Sequence, residues 1–304
     1  MIRHPILVGL DGSPESGTAA RAGWRLAESA GLSCQLVHVM PEVRFALDLA
    51  GTGVPLDALE IAHLARARAK VRDAIRDHVP SRVAHELIVR KGRPAAVLND
   101  LIAETNAHTL VLGGKHHSTL GRWLGGSTAH QVVRHVQVPM LVTAGELPRR
   151  PRVLLAVDVS YAARETIDHA LTFAALLEGP VRALHVLEAA RGVPDVVFRS
   201  GGPEYEAWCL ERLERDLWPL LPVPDTHKVI RRGAVVEALA EEAAAWRADV
   251  IVVGSHGKNW VDRLLIGSVT EALLNDLPAA VLVIPAAPAR QTAPATVRTA
   301  AALG

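Results

Sequence analysis

The chain repeats itself, and that repeat constrains its fold more than any other feature. HPILVGLDGS (4–13) resembles PRVLLAVDVS (151–160), and CQLVHVM (34–40) resembles VRALHVL (181–187). ELIVRKG (86–92) pairs with HKVIRRG (227–233), HTLVLGG (108–114) with ADVIVVGS (248–255), and VPMLVTA (138–144) with AAVLVIP (279–285). The five pairs keep the same order in both halves. A period of roughly 145 residues marks a duplicated domain, since solenoid repeats are several times shorter.

Each matched run is short, continuous and rich in Val, Ile and Leu, as strands are when both faces of a parallel sheet are covered. Helical segments are expected between them, at 15–31, 56–78, 94–106 and 127–135. The second half echoes these at 161–178, 204–220, 234–246 and 268–276. Asp11-Gly12-Ser13-Pro14 is a turn and helix-start signal, and Pro94 suits a first helical position. Strand–helix alternation predicts an α/β chain of two doubly wound domains. Each has a five-stranded parallel sheet in the order 3-2-1-4-5, flanked by helices. The expected boundaries are 1–146 and 151–288, joined through the turn-forming, basic GELPRRP (145–151). The Ala-, Pro- and Thr-rich stretch 289–304 is expected to be a disordered tail.

Composition removes several function classes. With 304 residues there is room for two cores, and a net charge of +1 gives no general attraction to nucleic acid or an anionic membrane. Aromatic residues are 4 %, too few for a platform that stacks single-stranded bases. Cys34 and Cys209 lack metal-ligand spacing and read as buried thiols in a reducing compartment. No stretch approaches the ~18 apolar residues of a membrane span, and Met1–Leu10 lacks signal-peptide features, so a cytoplasmic location is expected.

In open α/β sheets ligands sit beyond the carboxyl ends of the strands, where the strand order reverses. For the expected order, strands 1 and 4 flank that point. Strand 1 ends at Gly9–Asp11 in the first half and at Asp158 in the second; strand 4 ends at Gly113 and Gly254. After Gly254 runs GSHGKNWVDRLLIGS (254–268), with glycines at 254, 257 and 267. Bare glycines let main chain approach a ligand, and the helix opened by Gly267-Ser268-Val269 would present free N–H groups to a phosphate. Ser268 can either cap that helix or donate to the phosphate. Asp11 and Asp158 can either accept from ribose hydroxyls or close Asx-turns.

The pattern G-x2-G-x9-G-S at Gly254, Gly257, Gly267 and Ser268 resembles the ATP-binding motif of universal stress proteins. VGLDGSPES at strand 1, His38 and His185 on strand 2, and VPMLV near the end of the first half resemble that family too. The resemblance covers residues 1–286 as a tandem of two domains. It implies ATP as the ligand, with or without Mg2+, its adenine near Val39 or Val186 and its phosphates at the glycine loop. It also implies pairing through the fifth strands, here within one chain, with a homodimer as a further expectation. His38 and His185, inside apolar strands, read as hydrogen-bonded core histidines rather than catalytic ones.

The halves are not equivalent. GGKHHSTLGRWLGGS (113–127) shares five of fifteen positions with 254–268, among them Arg122/Arg263, Gly126/Gly267 and Ser127/Ser268. His116 stands where the second half has Gly257; its imidazole would intrude on phosphate space or donate to a phosphate. Arg122 and Arg263 either neutralise phosphate or lie solvated. Lys258 belongs to the same loop, but it does not align with Lys115 and carries less weight. In return, DGSPES of the first half becomes DVSYAA in the second. Binding is favoured in the second half. No Walker loop, nucleophile elbow, metal cluster or acid/base pair is evident, so no catalytic residue is assigned and hydrolysis is expected to be slow at most. The leading expectation is an ATP-binding stress-response regulator working through nucleotide-dependent conformation or assembly. The alternatives are an interaction module without nucleotide and a slow ATPase.

Overall fold

The computed structural model describes residues 4–41, 56–114, 128–188, 203–224, 227–255 and 266–286. The expected tail, 289–304, lies outside them. The first half runs β1 (Ile6–Leu10), α1 (Glu15–Ala30), β2 (Cys34–Met40), α2 (Leu56–Ile75), α3 (Ser81–His85), β3 (Ile88–Lys91), α4 (Pro94–Thr105), β4 (Thr109–Gly113), α5 (Thr128–Val133) and β5 (Met140–Thr143). The second runs β6 (Val153–Ala156), α6 (Ala163–Leu176), β7 (Val181–Leu187), α7 (Pro203–Arg212), β8 (Lys228–Arg232), α8 (Val235–Trp246), β9 (Val250–Gly254), α9 (Ser268–Asp276) and β10 (Ala280–Ile284).

Both halves adopt the order 3-2-1-4-5, and they join into one sheet of ten strands: β3-β2-β1-β4-β5-β10-β9-β6-β7-β8. Pairing within each half is parallel, whereas β5 and β10 pair antiparallel, with Val142 opposite Val281 and Met140 opposite Val283. This intrachain seam is the fifth-strand pairing that the family resemblance implied.

The central strands are continuously apolar because each feeds two cores, whereas the edge strands β3 and β8 carry charged, exposed residues. Ile6, Val8 and Leu10 of β1 join the core under α1, α2, α6 and α7, while Leu7 joins the one under α4, α5, α8 and α9. On β10, Ala280, Leu282 and Ile284 go to the first core and Val281 and Val283 to the second. Both cores run through the seam. Cys34 and Cys209 are buried in the first, and burial pushes the Cys34 thiol up to about 12, leaving it unreactive at neutral pH.

Several helix limits move from their expected places. The helix expected at 161–178 starts at Ala163, because Ser160 and Asp158 close a turn before it. The one expected at 204–220 ends as an α-helix at Arg212, then widens into a π turn at Leu213–Leu217 and tightens into a 3-10 turn at Trp218–Leu220. Pro219, which supplies no N–H to continue the ladder, stops the helical run in that last turn. The first half's second helix stops at Ile75 rather than at 78, and the short α3 follows it.

Candidate functional site

The registers place the strand-order reversal where the argument needs it. Gly9 of β1 stands between Val37 of β2 and Leu112 of β4, so the exits at Asp11 and Gly113–Gly114 are side by side. In the second half Leu155 stands between Ala183 and Val252, which sets the exit through Asp158 beside Gly254–Ser255.

Both aspartates close Asx-turns. Asp11 Oδ1 accepts from the Ser13 N–H at 2.9 Å and from the hydroxyls of Ser13 and Ser16. Ser16 Oγ in turn accepts the N–H groups of Asp11 and Gly12 at 3.1 and 3.0 Å. Asp158 Oδ1 accepts from the Ser160 N–H at 3.2 Å and its hydroxyl at 2.8 Å. Gly12 takes φ +74°, a left-handed conformation natural for glycine. Val159 replaces it in the second half and is buried, so the two turns differ in shape.

His38 and His185 have a positional role that the sequence did not disclose. His38 Nδ1 lies 2.7 Å from the Leu10 carbonyl and His185 Nδ1 lies 2.7 Å from the Val157 carbonyl. A carbonyl only accepts, so in each case Nδ1–H donates. The carbonyl held is the one just before Asp11 or Asp158. Each half thus fixes its first exit from the neighbouring strand. The visible signal was His-Val at equivalent positions of both halves.

The β9 exit is tied in two directions. Ser255 N–H donates to the Ile284 carbonyl at 2.7 Å, and Ser255 Oγ accepts the Ala286 N–H at 3.1 Å, fixing the exit to the end of β10. Gly267 N–H donates to the Ser255 carbonyl at 2.9 Å, and the buried Thr270 hydroxyl donates to the Gly254 carbonyl at 2.9 Å. These bonds set the start of α9 directly on the strand exit. Thr270 was not singled out from sequence; its counterpart Ala129 carries no hydroxyl, which hid its role.

Gly267 itself is the N-cap of α9, with φ −61° and ψ 138° and no side-chain cap bond. Ser268 is therefore the first helical residue, and the capping alternative does not apply to it. The first intrahelical bond at this end is from Glu271 N–H to the Gly267 carbonyl at 2.9 Å. The N–H groups of Ser268, Val269 and Thr270 precede it and have no acceptor inside the helix. Ser268 is exposed and Val269 half-buried, so this turn faces outward at the reversal point.

Other expected positions divide. Val39 and Val186 are buried in the second core, so each offers main chain rather than an open side chain. A Cβ on Gly9 would meet Leu112 Cδ2 at 2.6 Å, which makes Gly9 a packing position. A Cβ on Gly113 would meet the Glu15 carbonyl at 3.0 Å, so that glycine allows β4 and α1 to approach. His116, Arg122, Gly126, Ser127, Gly257, Lys258 and Arg263 lie outside the described residues. Lys70 is an addition: its side-chain stem lies against Gly12, bringing α2 back to the first exit. An open groove of about 400 Å³ lies on the opposite face from α9, where Arg212 and Arg215 pair with Asp216 beside Arg164 and Tyr161. It is a solvated ion-pair surface whose near end, at Ser160, adjoins the Asp158 turn.

Residues 3–144 and residues 150–285 each match the model of the universal stress protein family. The chain belongs to that family, as a tandem of two copies. A universal stress protein of Mycolicibacterium smegmatis is 29 % identical over 298 residues, covering 92 % of this chain and 97 % of that protein. One from Mycobacterium tuberculosis is 26 % identical over 289 residues, covering 90 % and 94 %. Among solved structures, a universal stress protein of Archaeoglobus fulgidus aligns at TM-score 0.59 and 17 % identity, covering 93 % of this chain and 96 % of that one. A Pseudomonas aeruginosa structure aligns at TM-score 0.62 and 17 % identity over 93 % of each chain. These two share the tandem fold. Among the described residues, no helix of this universal stress protein is long and apolar enough to cross a membrane.

Proposed function

We propose that this universal stress protein binds an adenine nucleotide, ATP, in its second half, and that occupancy regulates its conformation or assembly in the stress response. The observation that carries the reading is the start of α9. It has a glycine cap, an outward-facing first turn whose N–H groups have no acceptor inside the helix, and two hydrogen bonds fixing it to the β9 exit. Three N–H groups and the helix dipole there suit a phosphate. Asp158, on the neighbouring exit, would accept from a ribose. Val186 supplies main chain at the end of the next strand for the base. The equivalent turn in the first half is the weaker candidate, because Ala129 cannot make the bond that Thr270 makes.

The test is direct. The protein purified from its native host at low salt is denatured, and released small molecules are identified by mass spectrometry. Nucleotide-free protein is titrated with ATP, ADP and AMP by calorimetry. ATP or ADP released, with affinity rising with phosphate number, is the expected result. Absence of release and of uptake would leave the interaction-module reading in its place. Single-turnover hydrolysis of bound ATP distinguishes a regulator from a slow ATPase.

A further inference from the structure

The antiparallel seam has a geometric consequence for the two candidate sites. Because β5 and β10 run in opposite directions, the strand exits of the two halves lie at opposite edges of the shared sheet. Helix α9 starts at the exits of the second half. Its other end reaches the exit of the first: a Cβ built on Gly114 would lie 2.3 Å from Leu277 Cδ1 and 2.8 Å from the Thr143 carbonyl. Gly114 N–H also donates to that same carbonyl at 2.8 Å. Gly114 is thus small because a residue of the other half occupies its side-chain space.

Leu277 is held in an unusual way. It is the C-cap of α9, left-handed at φ 42° and ψ 60°, with its N–H bonded to the Leu273 carbonyl at 2.8 Å. Bulky residues rarely adopt that conformation, and it persists where the surroundings over-determine it. Here Leu277 is buried to 2 % exposure in the second core. Nine helical residues, about 13 Å of rigid rod, therefore separate the bare first turn of α9 from a strained residue wedged on the β4 exit. Helix α5 packs against α9.

We propose that Leu277 is a positioning residue for the β4 exit of the opposite half, and that α9 couples the two candidate sites through it. The inference rests on nucleotide binding at the α9 start and adds to it. A phosphate seated on the first turn biases where α9 sits, and Leu277 transmits that bias to Gly114. By linkage, the effect runs equally in reverse.

A double-mutant cycle in the full chain tests this. Affinity is read by ATP calorimetry at the second-half site, identified as the one lost in Gly267→Asp. Gly114→Ala, in the other half, should weaken that site about fivefold or more, within the usual range of coupling. Leu277→Ala relieves one of the two close contacts and leaves the Thr143 carbonyl, so adding it should recover part of the lost affinity relative to Leu277→Ala alone. Hydrogen exchange gives a second reading without the crowding substitution. ATP should slow exchange at the Leu112–Gly114 amides in the wild type and not in Leu277→Ala; equal slowing in both would mean direct binding and overturn the coupling. A folded Gly114→Ala protein with wild-type affinity, or a double variant as weak as Gly114→Ala, overturns it as well. A wild type that binds ATP while these tests fail loses only the coupling; a wild type that binds none loses both readings.

Discussion

At the level of single residues, substitutions at the α9 cap separate ligand binding from helix stability. Gly267 has a backbone conformation open to any residue, and Asp is among the better N-caps. Gly267→Asp should therefore leave the melting temperature equal or slightly higher, while its carboxylate takes the bare N–H groups and repels phosphate. We expect ATP affinity to fall about tenfold or more, about 1.4 kcal/mol or above. Calorimetry beside a thermal melt decides it: unchanged affinity with raised stability would make this turn purely structural. A second residue tests the duplication. Glu242 aligns with the buried Leu101 of the first half, yet is itself only 2 % exposed. Arg182 donates to it at 2.7 Å and Arg231 at 2.8 Å, and Arg182 also lies over the Trp246 ring. Burial raises its pKa, but the hydrogen bonds and charges of the two guanidinium groups outweigh this and hold it below the usual carboxylate value. The folded pKa is depressed, so this contribution is present above the unfolded value near 4.3 and lost as pH falls through the folded one. Glu242→Ala should cost about 1–3 kcal/mol at pH 7, toward the low end of what breaking a buried pair costs because both arginines reach solvent. Glu242→Leu should cost less, and both differences should shrink below pH 4 in urea melts.

At the level of elements, the repeat explains what could be read in advance. Strand identity was legible because every strand appears twice and the central ones are buried on both faces, while the fifth-strand seam was an expectation from the family resemblance. The cap of α9 was legible as Gly-Ser, but which residue did the capping was not, since that depends on one backbone turn. Thr270, Lys70 and the two strand-2 histidines were opaque as site residues. Their roles come from contacts to segments 16 to 58 positions away, which local pattern does not encode. The change of α7 from α to π to 3-10 was also missed: Pro219 signals a stop, but the widened turn before it has no local signature. A prediction belongs at this level. Thr270→Val keeps shape and removes the bond to the Gly254 carbonyl, so α9 should loosen from the β9 exit. We expect about 1 kcal/mol lost stability and several-fold weaker ATP binding; equal affinity would show that the exit holds its shape without this anchor.

For the whole molecule, the seam decides how the two halves depend on each other. Met140, Leu141, Val142 and Thr143 are each at most 1 % exposed, and they are covered partly by the other half. An isolated first half, residues 1–146, would present β5 as a long apolar edge with unpaired N–H and C=O groups. Such an edge pairs with whatever strand is available. The available strand is β5 of a second copy, and antiparallel pairing of the same strand gives a closed two-fold dimer that reproduces the intrachain arrangement. Residues 1–146 expressed alone should therefore sediment as a dimer. Val142→Lys, placed opposite Met140 of the second copy in the register that sets Leu141 against Leu282 in the chain, should shift it to monomer or to aggregate by setting a charge in the buried seam. The intact chain already satisfies that edge with β10, so Val142→Lys there should destabilise folding without changing oligomeric state. A soluble, well-folded, monomeric first half would mean that the halves are independent domains that merely touch.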